Sequence, residues 1–441
     1  MANWNKIGLG LGAVAIVAVA AAGTWAYTTL NTGRSGVADD KVALADLSDA
    51  DPEAVARGEY VMRSGDCVAC HTGQGAGNAG AFAGGYEIHT PFGTLVASNI
   101  TPDRDTGIGS WTERDFFDAL RHGRGGDGML YPAMPYTAYA KLSDQDMHDL
   151  WAYMSTVTPV KNAVDETAGM PFPYNIRLAM AGWNMLFFDN SGFEPVAGET
   201  EEWNRGKYLV DGAGHCSSCH TSRNGLGAEI AATYLQGAVI DGWFAPELTS
   251  NPHVGLGGSS AEDVARYLTT GSDGVAFAAG PMAEAVENST QYLTPEDAKA
   301  IGTYLVSLPG SSNRKPQPMG DGPAMQQAAL AYEVNCSACH GLQGEGIEAL
   351  APAFAGNHAI QSDNVTSIAA AVLRGARAVH TETLPTAGGM PAFGWKFDDA
   401  QVAGLLDYIR NSWGNAAAPV NAADVARIRA EMGVDAKIAT N

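Results

Sequence analysis

All six cysteines of the chain stand in three copies of one five-residue pattern: CVACH at 67–71, CSSCH at 216–220 and CSACH at 336–340. None is left for a structural disulfide. A C-x-x-C pair has three common uses: a redox dithiol, half of a zinc site, or a covalent anchor for haem. A thiol catalyst needs a thiolate at a helix N-terminus in a strand–helix fold, and the sequence around Cys67, Cys216 and Cys336 has no βαβ pattern. Two pairs could build a tetrahedral zinc site, but these pairs lie 149 and 120 residues apart, each in its own repeat. Neither use explains the histidine that closes every copy.

Haem attachment explains each element. The two cysteines add to the vinyl groups of the macrocycle, and the next histidine ligates the iron from the proximal side. The sequence predicts three covalent haems c, tethered by Cys67 and Cys70, Cys216 and Cys219, and Cys336 and Cys339. His71, His220 and His340 are the expected proximal ligands.

A methionine as sixth ligand raises the reduction potential. Between Cys219 and residue 311 there is one methionine, Met282. After Cys339 the candidates are Met390, in AGGMPAF, and Met432 in the tail, and Met390 is favoured. The first copy offers Met129, Met134, Met147 and Met154. Met134, in LYPAMPY, follows Cys67 by 67 residues, as Met282 follows Cys216 by 66. Met147 and Met154 fall inside the next helical stretch and read as core, and Met390 follows Cys336 by only 54 residues, so the third loop is shorter.

Other side chains read differently. His215 projects from the attachment turn, away from the iron, and His89, His122, His148, His253, His358 and His380 have no equivalents across the copies. Those six are expected to be surface or hydrogen-bonding residues. Arg121, Arg124 and Arg374 either pair with haem propionates or are solvated, and Trp111 packs as core before a helix.

The surroundings of the motif repeat as well. Each copy follows a tyrosine-bearing helical stretch (RGEYVMRSGDC, RGKYLVDGAGHC, ALAYEVNC) and precedes an amphipathic one: LSDQDMHDLWAYMSTV (142–157), LTPEDAKAIGTYLVSL (293–308) and FDDAQVAGLLDYIRNSW (397–413). Ser143 is the expected cap of the first late helix, and Thr294 with Asp297 reads as a capping box followed by Pro295. Asn421 is the expected cap of a last short helix. The expected divisions are an anchor or signal at 1–36, a first domain at 37–160, a connector at 161–198, a second domain at 199–310, a linker at 311–322, a third domain at 323–415 and a tail at 416–441.

With 26 Lys and Arg against 48 Asp and Glu, the formal charge of −22 repels phosphate backbones and argues against nucleic-acid binding. No charged residue stands between Lys6 and Arg34, and Ile7 to Tyr27 approaches the ~20 apolar residues that span a bilayer. A retained anchor is favoured over a leader cleaved near Ala20–Ala22, because Trp25 and Tyr27 suit a membrane interface. With Lys6 inside, the bulk of the chain lies on the periplasmic side of a bacterial inner membrane.

The stretches GDCVACHT, GTLVASNITPDRDTGIG, LYPAMPYTAYAKLSDQD, GHCSSCHT, GAVIDGWFAPEL and YIRNSWGN resemble the three-haem cytochrome c subunit of bacterial membrane-bound dehydrogenases, over about residues 55–415. The resemblance implies a mainly α chain with three tandem class I cytochrome c domains after an N-terminal transmembrane helix. It implies the ligand sets His71 with Met134, His220 with Met282, and His340 with Met390. It implies an electron-transfer subunit without a catalytic centre of its own, passing electrons from a dehydrogenase subunit to membrane ubiquinone. The anchor-like N-terminus leans toward an aldehyde-oxidising partner with molybdopterin and iron–sulfur centres, ahead of a quinoprotein alcohol or flavin polyol type. The rival reading is a stand-alone multihaem enzyme such as a peroxidase, which needs one iron with an exchangeable sixth position.

Overall fold

The computed structural model describes residues 38–74, 78–312, 314–386 and 388–434. The chain divides into two compact units, one holding residues up to 59 together with 71–193, the other holding 60–70 together with 194 onward. The division passes through helix α1 (Pro52–Ser64) and again between Cys70 and His71, so the one-turn helix α2 (Cys67–Cys70) belongs to the second unit. The anchor expected over residues 1–36 lies outside the described residues. Among those described, no helix is long and apolar enough to cross a membrane.

In the first unit a hairpin pairs β1 (Glu87–Thr90) with β2 (Gly93–Val96), Thr90 opposite Gly93. Helix α3 (Glu113–His122) starts at a full capping box in which Thr112 and Asp115 satisfy each other's backbone N–H groups. A two-residue ladder, β3 (Arg124–Gly125) with β4 (Gly128–Met129), leads to the loop carrying Met134, then to α4 (Tyr136–Tyr139) and α5 (Asp144–Met154). Ser143 caps α5 as expected, accepting from the Asp146 N–H at 3.0 Å. Helices α1 and α5 cross at Gly58, where any Cβ would strike the Asp149 carbonyl group, and Arg57 clamps the crossing with bonds of 2.7 and 3.0 Å to Asp149. The segment expected as a plain connector contains a helix of its own, α6 (Ala179–Phe187). It was hidden because it is apolar on every side and has no capping residue, so no helical period separates its faces.

The second unit repeats the plan twice. Helix α7 (Glu201–Asp211), capped by Thr200, leads into the turn α8 (Ser217–His220), the hairpin β5 (Ala238–Ile240) with β6 (Trp243–Ala245), then α9 (Ala261–Thr270), α10 (Pro281–Asn288) and α11 (Pro295–Ser307). The same crossing recurs: a Cβ on Gly206 would strike the Ala300 carbonyl group. Thr294 caps α11 through the Asp297 N–H at 3.1 Å, yet the capping box does not close. The Asp297 carboxylate turns instead to Arg205 at 2.7 and 2.8 Å and to the Tyr60 hydroxyl at 2.6 Å, because a charged bidentate partner outbids a backbone N–H.

The last set comprises α12 (Pro323–Asn335), α13 (Ser337–His340), α14 (Thr366–Arg374), the ladder β7 (Ala376–Arg377) with β8 (Gly389–Met390), α15 (Asp399–Asn411) and α16 (Ala422–Glu431). Its core joins Tyr332, Phe354, Leu373, Leu406 and Ile428, each worth about 1.5–3 kcal/mol of burial. Asn421 stands at the N-cap of α16 but makes no capping hydrogen bond there.

Candidate haem-attachment sites

A single helical turn suits each motif. It puts the two cysteines on one side, three residues apart, with the histidine one residue further round. In the second and third copies the turn is closed by the His220 and His340 N–H groups, which donate to Cys216 and Cys336 carbonyls at 3.0 Å. All six cysteines are unbridged. Burial pushes the thiols of Cys67, Cys70 and Cys216 up to about 12 and that of Cys336 up to about 11. Thiols held this far from ionising make poor disulfide catalysts.

The three histidines share one geometry. The Nδ1 of His71 donates to the Ser98 carbonyl at 2.8 Å, that of His220 to Pro246 at 2.7 Å, and that of His340 to Pro352 at 3.0 Å. A carbonyl can only accept, so the proton is fixed on Nδ1 and the lone pair of Nε2 is left for a metal. Burial lowers the pKa of all three rings and keeps them neutral, as ligation requires.

A second contact repeats beside the first. The carbonyls of His71, His220 and His340 accept from the N–H groups of Gly84, Gly237 and Gly346, at 2.8, 2.8 and 2.9 Å. All three glycines have positive φ (75°, 93° and 70°). A Cβ on them would approach Ala97, Ala245 and Ala351 carbonyl oxygens to 2.6, 3.0 and 2.7 Å, so a larger residue would push away the segment that pins the ring.

The methionines stand on different local structure. Met134 lies in a tight turn, its carbonyl accepting from the Tyr136 N–H at 2.7 Å. Met282 is the second residue of α10 and packs with Tyr267 against Ala278, Val286 and Val379. Met390 lies on β8 opposite Ala376. The common loop setting that the sequence suggests is therefore met only by Met134. The other first-copy candidates are packing residues: Met129 on β4, Met147 and Met154 on α5, all buried. Met432 packs against the core around Leu406.

The remaining candidates have structural partners. His215 Nε2 is 3.3 Å from the Gly65 carbonyl, His148 is paired with Glu113 at 2.5 Å, His122 contacts Asn190 at 3.0 Å, and His358 donates to the His253 carbonyl at 2.9 Å. Arg121 bonds Leu142 and Asp144 at 2.8 and 2.9 Å, and Arg374 lies 4.9 Å over the Trp243 ring. Sequence reasoning missed the three carbonyls that hold the histidines. A signal was present, since Ser98, Pro246 and Pro352 each follow an alanine (Ala97, Ala245, Ala351) on the strand or loop after the motif.

Paired unbridged cysteines, a neutral imidazole with Nδ1 pinned, and a thioether within reach in sequence are the donor set of haem c, and these residues fit it. The fold and its attachment turns define a c-type cytochrome. The sequence profile of "Cytochrome c" matches residues 204–309 and 326–413, and that of "Cytochrome C oxidase, cbb3-type, subunit III" matches 53–154. The chain is 41% identical over 416 residues to the gluconate 2-dehydrogenase cytochrome c subunit of Pantoea cypripedii, covering 89% of this chain and 93% of that one. It is 38% identical over 408 residues to the cytochrome c subunit of the quinone alcohol dehydrogenase of Gluconacetobacter polyoxogenes (88% and 86%), and 37% identical over 411 to the fructose dehydrogenase cytochrome subunit of Gluconobacter japonicus (85% and 82%). The chain belongs to the family of cytochrome c subunits of membrane-bound dehydrogenase complexes.

Proposed function

We propose that this subunit carries three covalent haems c and passes electrons from a periplasmic dehydrogenase catalytic subunit to ubiquinone in the bacterial inner membrane. The observation that supports the reading most is the threefold recurrence of the pinned histidine with its glycine partner. Bound haem c supplies a ferric–ferrous couple at each site. The chain's residues supply the rest. Cys67 with Cys70, Cys216 with Cys219, and Cys336 with Cys339 tether the group, so it cannot dissociate between turnovers. His71, His220 and His340 present neutral Nε2 atoms, and Met134, Met282 and Met390 complete the ligand sets, favouring the reduced state.

Contacts inside the second unit support a relay. Helix α2 packs against α10, which carries Met282, and His215 beside Cys216 reaches the Gly65 carbonyl. The Ala353 N–H, next to the carbonyl that pins His340, donates to Val275 at 3.0 Å on the loop before Met282. Attachment turns that touch through their own supports keep electron steps short. A thioether at every site also disfavours the peroxidase alternative, which needs an open position.

The partner is a dehydrogenase. The relatives' names bring gluconate, alcohol and fructose oxidation alongside the aldehyde-oxidising type favoured by the anchor-like N-terminus. Purifying the complex from membranes identifies it. In that complex the dehydrogenase substrate should reduce all three haems within turnover, and a ubiquinone analogue should reoxidise them. Haems that stay oxidised while the catalytic subunit turns over would refute the reading.

A further inference from the structure

Helix α6 and the segment before it leave a run of large apolar side chains exposed, among which Tyr174 has a ring contact with Phe92 at 5.3 Å. Phe172, Leu178 and Leu186 are 79%, 77% and 72% exposed, with Tyr174 at 47%, Ile176 at 44% and Met185 at 40%. Monomeric surfaces rarely leave so many large apolar groups adjoining. The opposite side of α6 is already used. Met180 packs on the cluster of Leu95, Tyr131 and Met170, and buried Asn184 accepts from the Tyr136 hydroxyl at 2.6 Å. Leu178, Gly182, Met185 and Leu186 recur at helical spacing on the outer side. Helix α6 thus buries its Asn184 side on the first unit and leaves an apolar outer side uncovered. With nine residues it is far too short to cross a bilayer, so a membrane would receive it lying in the interface.

Charge points to the same occupant. The 22 residues between Glu166 and Asp189 carry one charge, Arg177, and Glu166 neutralises it at 2.5 Å. In a chain of formal charge −22, this is a stretch that an anionic membrane surface does not repel. The point where the described chain begins is on the same unit: the Ala38 carbonyl accepts from Arg114 at 3.0 Å and the Asp39 N–H donates to Glu113 at 2.8 Å. An anchor in residues 7–27 would hold that unit within roughly 35 Å of the bilayer, the reach of the intervening chain.

We propose that residues 171–188 dock into the lipid interface, with Leu178 and Leu186 entering the acyl boundary and Phe172 and Tyr174 at headgroup level. The docking rests on the reading of residues 7–27 as a retained anchor. It adds a second attachment that fixes how the first unit faces the membrane.

The test uses the full-length holoprotein in phosphatidylcholine vesicles, with amide hydrogen exchange read over 171–188 and flotation read separately. Leu178 and Leu186 point to solvent, so Leu178→Glu with Leu186→Glu should fold normally and keep the haem spectrum. Exchange in the wild type should be at least about tenfold slower than in this variant, with both floating through the anchor. Equal exchange in two floating proteins would overturn the docking and leave the anchor reading intact. A wild type that fails to float would overturn both. Protection that needs the dehydrogenase subunit, or that rises with protein concentration without lipid, would assign the face to a protein partner or a second copy and also overturn the proposal.

Discussion

The Nδ1 of His220 donates to the carbonyl of Pro246 over 2.7 Å, while the His220 carbonyl accepts from the Gly237 N–H at 2.8 Å. One side chain and its own backbone are thereby fixed by two segments that follow the motif. Gly237 has φ of 93°, and a Cβ there would press on the Phe244 ring at 2.9 Å. Gly237→Ala is expected to cost about 1–3 kcal/mol and to move the potential of one haem only. Equilibrium denaturation and a redox titration read the two effects.

Met282 is the one methionine that the second copy can offer. Met282→Ala should remove one of three methionine–iron spectral signatures and lower one potential, leaving the other two unchanged. Met129→Leu, at a buried strand position, should leave all three signatures in place. An unaltered spectrum in Met282→Ala would remove that assignment.

Gly206 permits α7 and α11 to touch backbone to backbone. Gly206→Val should destabilise the chain by about 3 kcal/mol or more, since the obstacle is a carbonyl group that cannot swing aside. Thermal unfolding of the holoprotein measures it. A loss under 1 kcal/mol, roughly the cost of an ordinary surface change, would mean the helices do not meet there.

Tyr60 and Asp297 predict how stability varies with pH. Burial raises Asp297, but its bonds from Arg205 and Tyr60 outweigh that and hold it below the usual carboxylate range. Its contribution is complete above the unfolded pKa near ~4 and lost as pH falls through the lower folded value. Burial and the bond to Asp297 push Tyr60 up to about 12. Its contribution is complete below the unfolded pKa of ~10 and lost as pH rises through the folded one. Tyr60→Phe should therefore cost roughly 1–2 kcal/mol across the neutral range, with the difference shrinking at both extremes. Urea denaturation of the two proteins at a series of pH values gives the profile.

Much of the candidate site could be read from the sequence because its motif is local. Three C-x-x-C-H copies name their own cysteines and histidines, and the Ser143 cap follows from side-chain chemistry within one turn. What the sequence hid depends on distant pairing. Asp297 looks like a capping-box residue until Arg205, 92 positions away, takes its carboxylate. The carbonyls of Ser98, Pro246 and Pro352 are marked only by the alanine before each, and their distances from the motif vary from 12 to 27 residues. Helix α6 escaped notice because a helix apolar on all sides has no period to detect.

In the proposed function every cysteine is a haem tether. The intact mass of the full-length chain, exported by a haem-attaching host and denatured before measurement, decides this. The expected mass is the polypeptide plus three haems, located by digestion on the peptides containing Cys67 and Cys70, Cys216 and Cys219, and Cys336 and Cys339. A mass corresponding to fewer than three, or a disulfide within any of the three pairs, would contradict it.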